Sequence, residues 1–249
     1  MALGRRHPET LVSIGVERRL EAGLRRCGQD RVEVIMHEWQ PWLQEWNREL
    51  LARYDPTEHN AFVDAQVTPA VLTSGWLGFP GVSEEQLAEL ELRLGVTLPP
   101  SYRSFLRVSN GFLQPGVIVP RILPANEVGW LRDIDPDTID VWTEGMSRTD
   151  GVADPDAFEQ YLPTALQVSA RETVGTAMYL LNPQVASAEG EWEAFFFAHW
   201  VPGVQRFPSF WALMQAELQN LRAPAPPPPP GRVQTFVDAV QWIFRRGPS

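Results

Sequence analysis

The spacing of apolar residues changes twice along this chain. Residues 15–26 and 30–54 are rich in helix formers, with Pro41 the one interruption, and predict two or three helices; in the second stretch apolar residues recur every three or four positions, the period of one helical face. Trp39, Trp42, Leu43, Trp46 and Leu50 make one stripe. Such a stripe is either an exposed aromatic patch for a partner or the face that docks the helix on a main domain, and docking is the expectation. A second block opens near Val67. Ser83 can cap a helix, Gln86 stands at its third position and Val82 can staple onto Leu87, which predicts a helix over 84–94. Leu87, Leu90 and Leu94 then face inward, away from Glu84, Glu85, Glu89 and Glu91, and Gly95 supplies a left-handed stop. Pro99 and Pro100 open a further helix over 100–109, in which Tyr102, Phe105, Leu106 and Ser109 share a face before the turn pair Asn110 and Gly111.

From Gly116 the pattern shortens to β-prone runs at 117–119, 166–169, 177–181 and 192–201. In the last run Trp192, Ala194, Phe196, Ala198 and Trp200 make one apolar face, while Phe195 and Phe197 share the other with Glu193 and His199. This describes a central strand covered on at least one side. Residues 126–160 are expected to hold helical turns rather than sheet, and 207–221 an amphipathic helix, so the fold class is α+β: a single sheet packed with helices. Six prolines between Ala223 and Pro230 predict an extended spacer reaching roughly 25 Å. Beyond it Val233, Phe236, Val237, Val240 and Phe244 repeat at helical spacing, as in a tethered C-terminal helix. The expected organisation is an N-terminal helical extension (1–65), a main domain (66–222), a proline-rich linker (223–230) and a C-terminal helix (231–249).

Composition narrows the function. The 249 residues carry a formal charge of -10, which opposes the basic surface that nucleic-acid binding requires. All basic residues are arginine, which removes chemistry built on a phosphate-loop, aldimine or kinase-strand lysine. Cys27 is the single cysteine and permits no intrachain disulfide. Neither a secretion-type apolar core near the start nor a membrane-length apolar run is present, so a cytoplasmic location and no membrane association are expected.

Candidate chemistry is sparse. His7, His37, His59 and His199 are scattered without zinc spacing, and no nucleophile elbow or dinucleotide fingerprint occurs, so no catalytic residue, metal or cofactor is expected. The acidic segment is the exception. Between Arg132 and Glu159 nine carboxylates face two arginines. Like charges this dense repel, so the segment is either a solvated loop or an electrostatic docking face for a basic protein; a carboxylate-pair hydrolase or a calcium site remains a third alternative. The docking reading assigns partner binding to Trp130, Asp133, Asp135, Asp137, Asp140, Trp142 and Glu144, with a tryptophan as anchor and the carboxylates steering. Either tryptophan is equally well a core residue.

Residues 76–111, WLGFPGVSEEQLAELELRLGVTLPPSYRSFLRVSNG, resemble the signature of the SUKH superfamily. The resemblance continues in Tyr179 to Pro183 and from Gly190 to Met214, with Gly190-Glu191-Trp192-Glu193 and Pro208-Ser209-Phe210-Trp211 similar to the family's closing strand and helix. It implies an α+β domain over roughly 66–222 that binds a protein without catalysing a reaction. In bacteria such domains serve mostly as immunity proteins against toxins, and in yeast in a regulator of cell-wall synthesis. The expected role is therefore neutralisation of a cognate bacterial toxin, whose basic domain is the partner. An adaptor linking two cellular proteins is the alternative.

Overall fold

The computed structural model describes residues 39–54, 67–116, 119–146, 157–170, 177–198 and 203–223. The helix expected near residues 15–26, the strand at 117–118, Cys27, all four histidines, the proline run after Ala223 and the C-terminal helix lie outside them.

Four helices precede the sheet: α1 (39–53), α2 (Pro69–Ser74), α3 (Glu84–Leu94) and α4 (Pro100–Val108). The α3 start is the expected capping box, with Ser83 Oγ accepting from Gln86 N and Gln86 Oε1 from Ser83 N, and Gly95 ends it at φ 72°. Gly81, two residues earlier, lies so close to α4 that an added Cβ would stand 1.8 Å from the Arg107 carbonyl oxygen, a position for glycine alone. Helix α2 was not anticipated. Its signals are nonetheless local: Thr68 caps it, Pro69 opens it and Gly75 closes it at φ 65°.

A short hairpin, β1 (Phe112–Leu113) with β2 (Arg121–Ile122), leads into a five-stranded antiparallel sheet. That sheet runs in sequence order through β3 (Gly129–Trp130), β4 (Leu166–Gln167), β5 (Ala177–Ala186), β6 (Trp192–Ala198) and β7 (Val204–Phe207). Between β3 and β4 lie α5 (Leu131–Ile134), α6 (Pro136–Met146) and a 3₁₀ helix (Phe158–Thr164). Helix α7 (Phe210–Arg222) follows the sheet. It starts later than residue 207 because Phe207 pairs with Ala194 in the sheet and Ser209 accepts from Ala212 N as the cap.

Both faces of β6 are buried. On one, Trp192, Ala194 and Phe196 join Tyr179 and Leu181 beneath α7, and α4 packs against α7 with Tyr102 and Phe210 rings 5.0 Å apart. The helix lying directly on β6 is thus α7. Helix α1 belongs to the same core. Trp39 and Trp46 are fully buried, and the Trp39 ring meets Phe105, Phe210 and Trp211 at 5.2, 5.6 and 4.7 Å. Trp39 Nε1 donates to the Ser101 carbonyl and to Ser104 Oγ, both at 3.0 Å, and Trp46 Nε1 to the Gln114 carbonyl at 2.9 Å. The aromatic stripe is a docking face; the indole donors of Trp39 and Trp46 are satisfied, while the buried Trp42 Nε1 has no acceptor among the described residues.

On the other face Met178, Leu180, Phe195 and Phe197 pack under Leu131, Phe158 and Leu162. The sheet is a middle layer between two helical layers. The second cover comes from α5, α6 and the 3₁₀ helix, which belong to the most acidic stretch of the sequence.

Candidate functional site

The acidic segment is held in place by its apolar residues. The Leu131 amide donates to the Ala165 carbonyl at 2.9 Å, fixing α5 beside β4, and Leu131 is fully buried. Asp135 then caps α6: its Oδ1 accepts from Thr138 N at 3.3 Å and its Oδ2 from Thr138 Oγ1 at 2.7 Å, with Pro136 at the first helical position. Ile139 and Trp142 turn α6 toward the sheet, where the Trp142 ring lies edge-on to Phe158 and Phe197 at 5.4 and 5.3 Å.

With that side turned in, Asp137, Asp140, Val141 and Glu144 are left on the outer face, spaced by three and four residues. All four are exposed, Val141 by 64%. Asp133 is exposed on the preceding turn and lies 3.9 Å from the Arg132 guanidinium.

The seven residues singled out in the sequence therefore divide. Asp133, Asp137, Asp140 and Glu144 present carboxylates to solvent. Asp135 spends its carboxylate on the cap. Trp142 is half-buried in the second-face core. Trp130 packs at the margin of the first-face core, and the Arg132 guanidinium lies 5.4 Å from its ring. Both rings are half-buried. Two apolar residues outside that set are exposed beside the carboxylates, Val141 and Ile134, the latter by 43%. The signal for Val141 is its place in the same three-and-four spacing as the acids.

Away from this surface, two carboxylates, one partly and one fully buried, serve the fold. Glu191, at the β5–β6 turn, accepts from Ser101 N at 2.8 Å and Ser101 Oγ at 2.6 Å, binding that turn to the start of α4; its partial burial raises its pKa, against the lowering effect of those two bonds. Glu217 of α7 is buried and bonded to the Tyr179 hydroxyl, which burial and this neighbour hold well above its ordinary pKa. Among the described residues no group of three histidine, cysteine or acidic side chains is placed to hold a metal, and no helix is long and apolar enough to cross a membrane.

No curated protein matches the chain. The model of the SMI1 / KNR4 family (SUKH-1) matches residues 81–216, more than half of the sequence, from the turn before α3 into α7. Members of that family include immunity proteins and cell-wall regulators; they are generally non-enzymatic and act through protein–protein interaction. Helices α3 and α4, the sheet, the described acidic cover and the first half of α7 fall inside the match, and the chain belongs to the SMI1/KNR4 (SUKH-1) family.

Proposed function

We propose that the chain is a non-enzymatic immunity protein of the cytoplasm that neutralises a cognate bacterial toxin by binding a basic surface of the toxin domain with the outer face of α5 and α6. One observation carries this reading. The inner face of α6 is fastened to the sheet by Ile139 and Trp142, and its outer face holds Asp137, Asp140 and Glu144 around Val141. A charged surface on a fixed helix keeps its geometry through an encounter, so its field both steers association and discriminates between partners. Val141 and Ile134 offer apolar contact among the acids, in the place first considered for a tryptophan. Glycoside-type acid catalysis would need a buried acid in a cleft, and these exposed carboxylates lack that setting.

The test is the association rate of the full chain with its cognate basic toxin domain, measured by stopped flow across a salt series. The variant Asp133→Asn, Asp137→Asn, Asp140→Asn and Glu144→Gln should associate at least tenfold more slowly than wild type at low salt, and about equally near 1 M salt, where screening acts within ~3 Å. Asp135 stays unchanged because its loss would uncap α6. Equal rates at low salt, or an acidic partner surface, would place the binding face elsewhere.

A further inference from the structure

The outer edge of β4 is shared by two pieces of chain. Residues 121–123 bond to one end of it, through Leu123 N to the Val168 carbonyl and Ala170 N to the Arg121 carbonyl, both at 2.9 Å, and β3 pairs with the other end. Residues 124–128 leave the edge between them. Beside this excursion lies a groove of about 590 Å³ with an apolar lining from Leu123, Ile134 and Ala170. Arg121 and Glu127 also line it and pair with each other at 3.0 Å, and Asp135 brings one further negative charge to the wall.

Gln167 completes the lining and is 3% exposed. Its Nε2 donates to the Ser169 carbonyl at 3.0 Å, which fixes the orientation of the amide. Its Oε1 is then a buried acceptor without a donor among the described residues. Such an atom is costly in a folded protein unless something supplies the missing hydrogen bond.

We propose that this groove is a subsite for an arginine side chain of the protein partner. The inference rests on the docking reading of the neighbouring acidic face, to which Ile134 and Asp135 connect it. An arginine matches each feature of the groove. Its methylenes cover Leu123, Ile134 and Ala170, its charge answers the negative excess that Asp135 and Glu127 leave, and its planar fork of donors supplies the hydrogen bond that Gln167 Oε1 lacks. A lysine ammonium, a strongly hydrated point charge, suits a partly apolar groove less well.

The experiment is an NMR titration of the isotope-labelled full chain with N-acetylarginine methylamide, alongside the lysine and norleucine counterparts. The arginine probe should give saturable shifts at the Leu123 and Ala170 amides and at the Gln167 side-chain amide. The lysine probe should bind at least fivefold more weakly, and the norleucine probe should leave these signals unmoved. Gln167→Leu should weaken the arginine probe at least fivefold. Glu127→Gln, at an exposed position that does not endanger the fold, should weaken it by about twofold. Comparable shifts with lysine or norleucine, or unchanged affinity in Gln167→Leu, overturn the assignment, as does a response confined to Asp137, Asp140 and Glu144. The docking reading fails on a separate result: if the four-residue neutral variant still associates at the wild-type rate, that reading falls while the probe titration continues to decide the groove.

Discussion

The two faces of the sheet are covered in different ways. The first is filled by large rings on helices fixed from several sides: Trp39, Tyr102, Phe105 and Phe210 contact one another and are almost fully buried. Tryptophan donors reach backbone carbonyls there, and Asn47 of α1, itself buried, accepts from the Leu77 amide at 2.6 Å. The second is covered by a thin layer, α5, α6 and a 3₁₀ helix, of which one side meets Phe195 and Phe197 and the other carries carboxylates to solvent. The first face holds most of the buried rings; the second supports a surface whose outer residues meet solvent. Part of the first face lies outside the family match. Helix α1 ends before residue 81, where the match begins, yet Trp39, Leu43 and Trp46 stand at the centre of the core. This face therefore includes a helix that the match does not cover.

The largest effect should come from the first face. Phe105→Ala removes a ring that touches Trp39, Tyr102 and Phe210, and should cost about 3–5 kcal/mol in urea denaturation. A loss below about 1 kcal/mol would mean that the ring packing has been misplaced. Trp142→Ala, on the thin side, deletes a half-buried ring with two aromatic neighbours and should cost about 2 kcal/mol. If it proved as costly as Phe105→Ala, the second layer would be as integral to stability as the first and the contrast would collapse.

The same contrast explains what could be read in advance. Helices α3 and α4 were legible because the capping box of one, the opening prolines of the other and the apolar faces of both are local, and the stripe of α1 because five large residues fit one helical face. Strands β1 to β3 were not, since two residues carry no periodicity, and β7 was hidden behind the turn at Gly203, which has φ 82°. The second covering layer was legible only as helical turns. Its inward residues are few, Leu131, Ile139, Trp142, Phe158 and Leu162, and they are diluted among charges. For the site, counting located the acids, but which of them remain exposed depends on the face by which α6 meets the sheet. The groove at Gln167 assembles residues from 121 to 170, and no local pattern announces such a gathering.

A smaller effect belongs to the tie between the sheet and α4. Glu191→Ala leaves the Ser101 amide and hydroxyl without their acceptor and should cost about 1 kcal/mol. The pH dependence tests the cause. Because the folded pKa of Glu191 is raised, the folded state holds its proton more tightly than the unfolded one. Its contribution to stability is therefore full below the ordinary glutamate pKa and is lost as the pH rises through the folded value. Glu84 has the opposite sign: its hydrogen bond and ion pair with Arg103, with Arg107 close by, lower its pKa, so its contribution is lost on acidification. Glu191→Gln should remove only the first dependence, giving a stability curve that falls less than wild type just above the ordinary glutamate pKa. Parallel curves for the two proteins would show that burial of Glu191 has no influence on folding.

The smallest effect, and the sharpest test of the contrast, is on the outer face of α6. Asp137 stands in the first turn, where negative charge is favoured by the helix dipole, so its neutralisation should be slightly unfavourable. Asp140 and Glu144 are four residues apart and carry the same charge, an arrangement that destabilises a helix by about 0.2–0.5 kcal/mol. Asp140→Asn with Glu144→Gln should therefore raise stability by a few tenths of a kcal/mol in dilute buffer, and the gain should vanish in high salt, where the repulsion is already screened. Thermal melts of the two proteins at low and high salt measure the difference. A stabilised variant that has lost its fast association would show these carboxylates retained for binding at a cost to the fold. A loss of more than about 1 kcal/mol would instead make them structural, and the thin layer would then be stabilised by its charges rather than burdened by them.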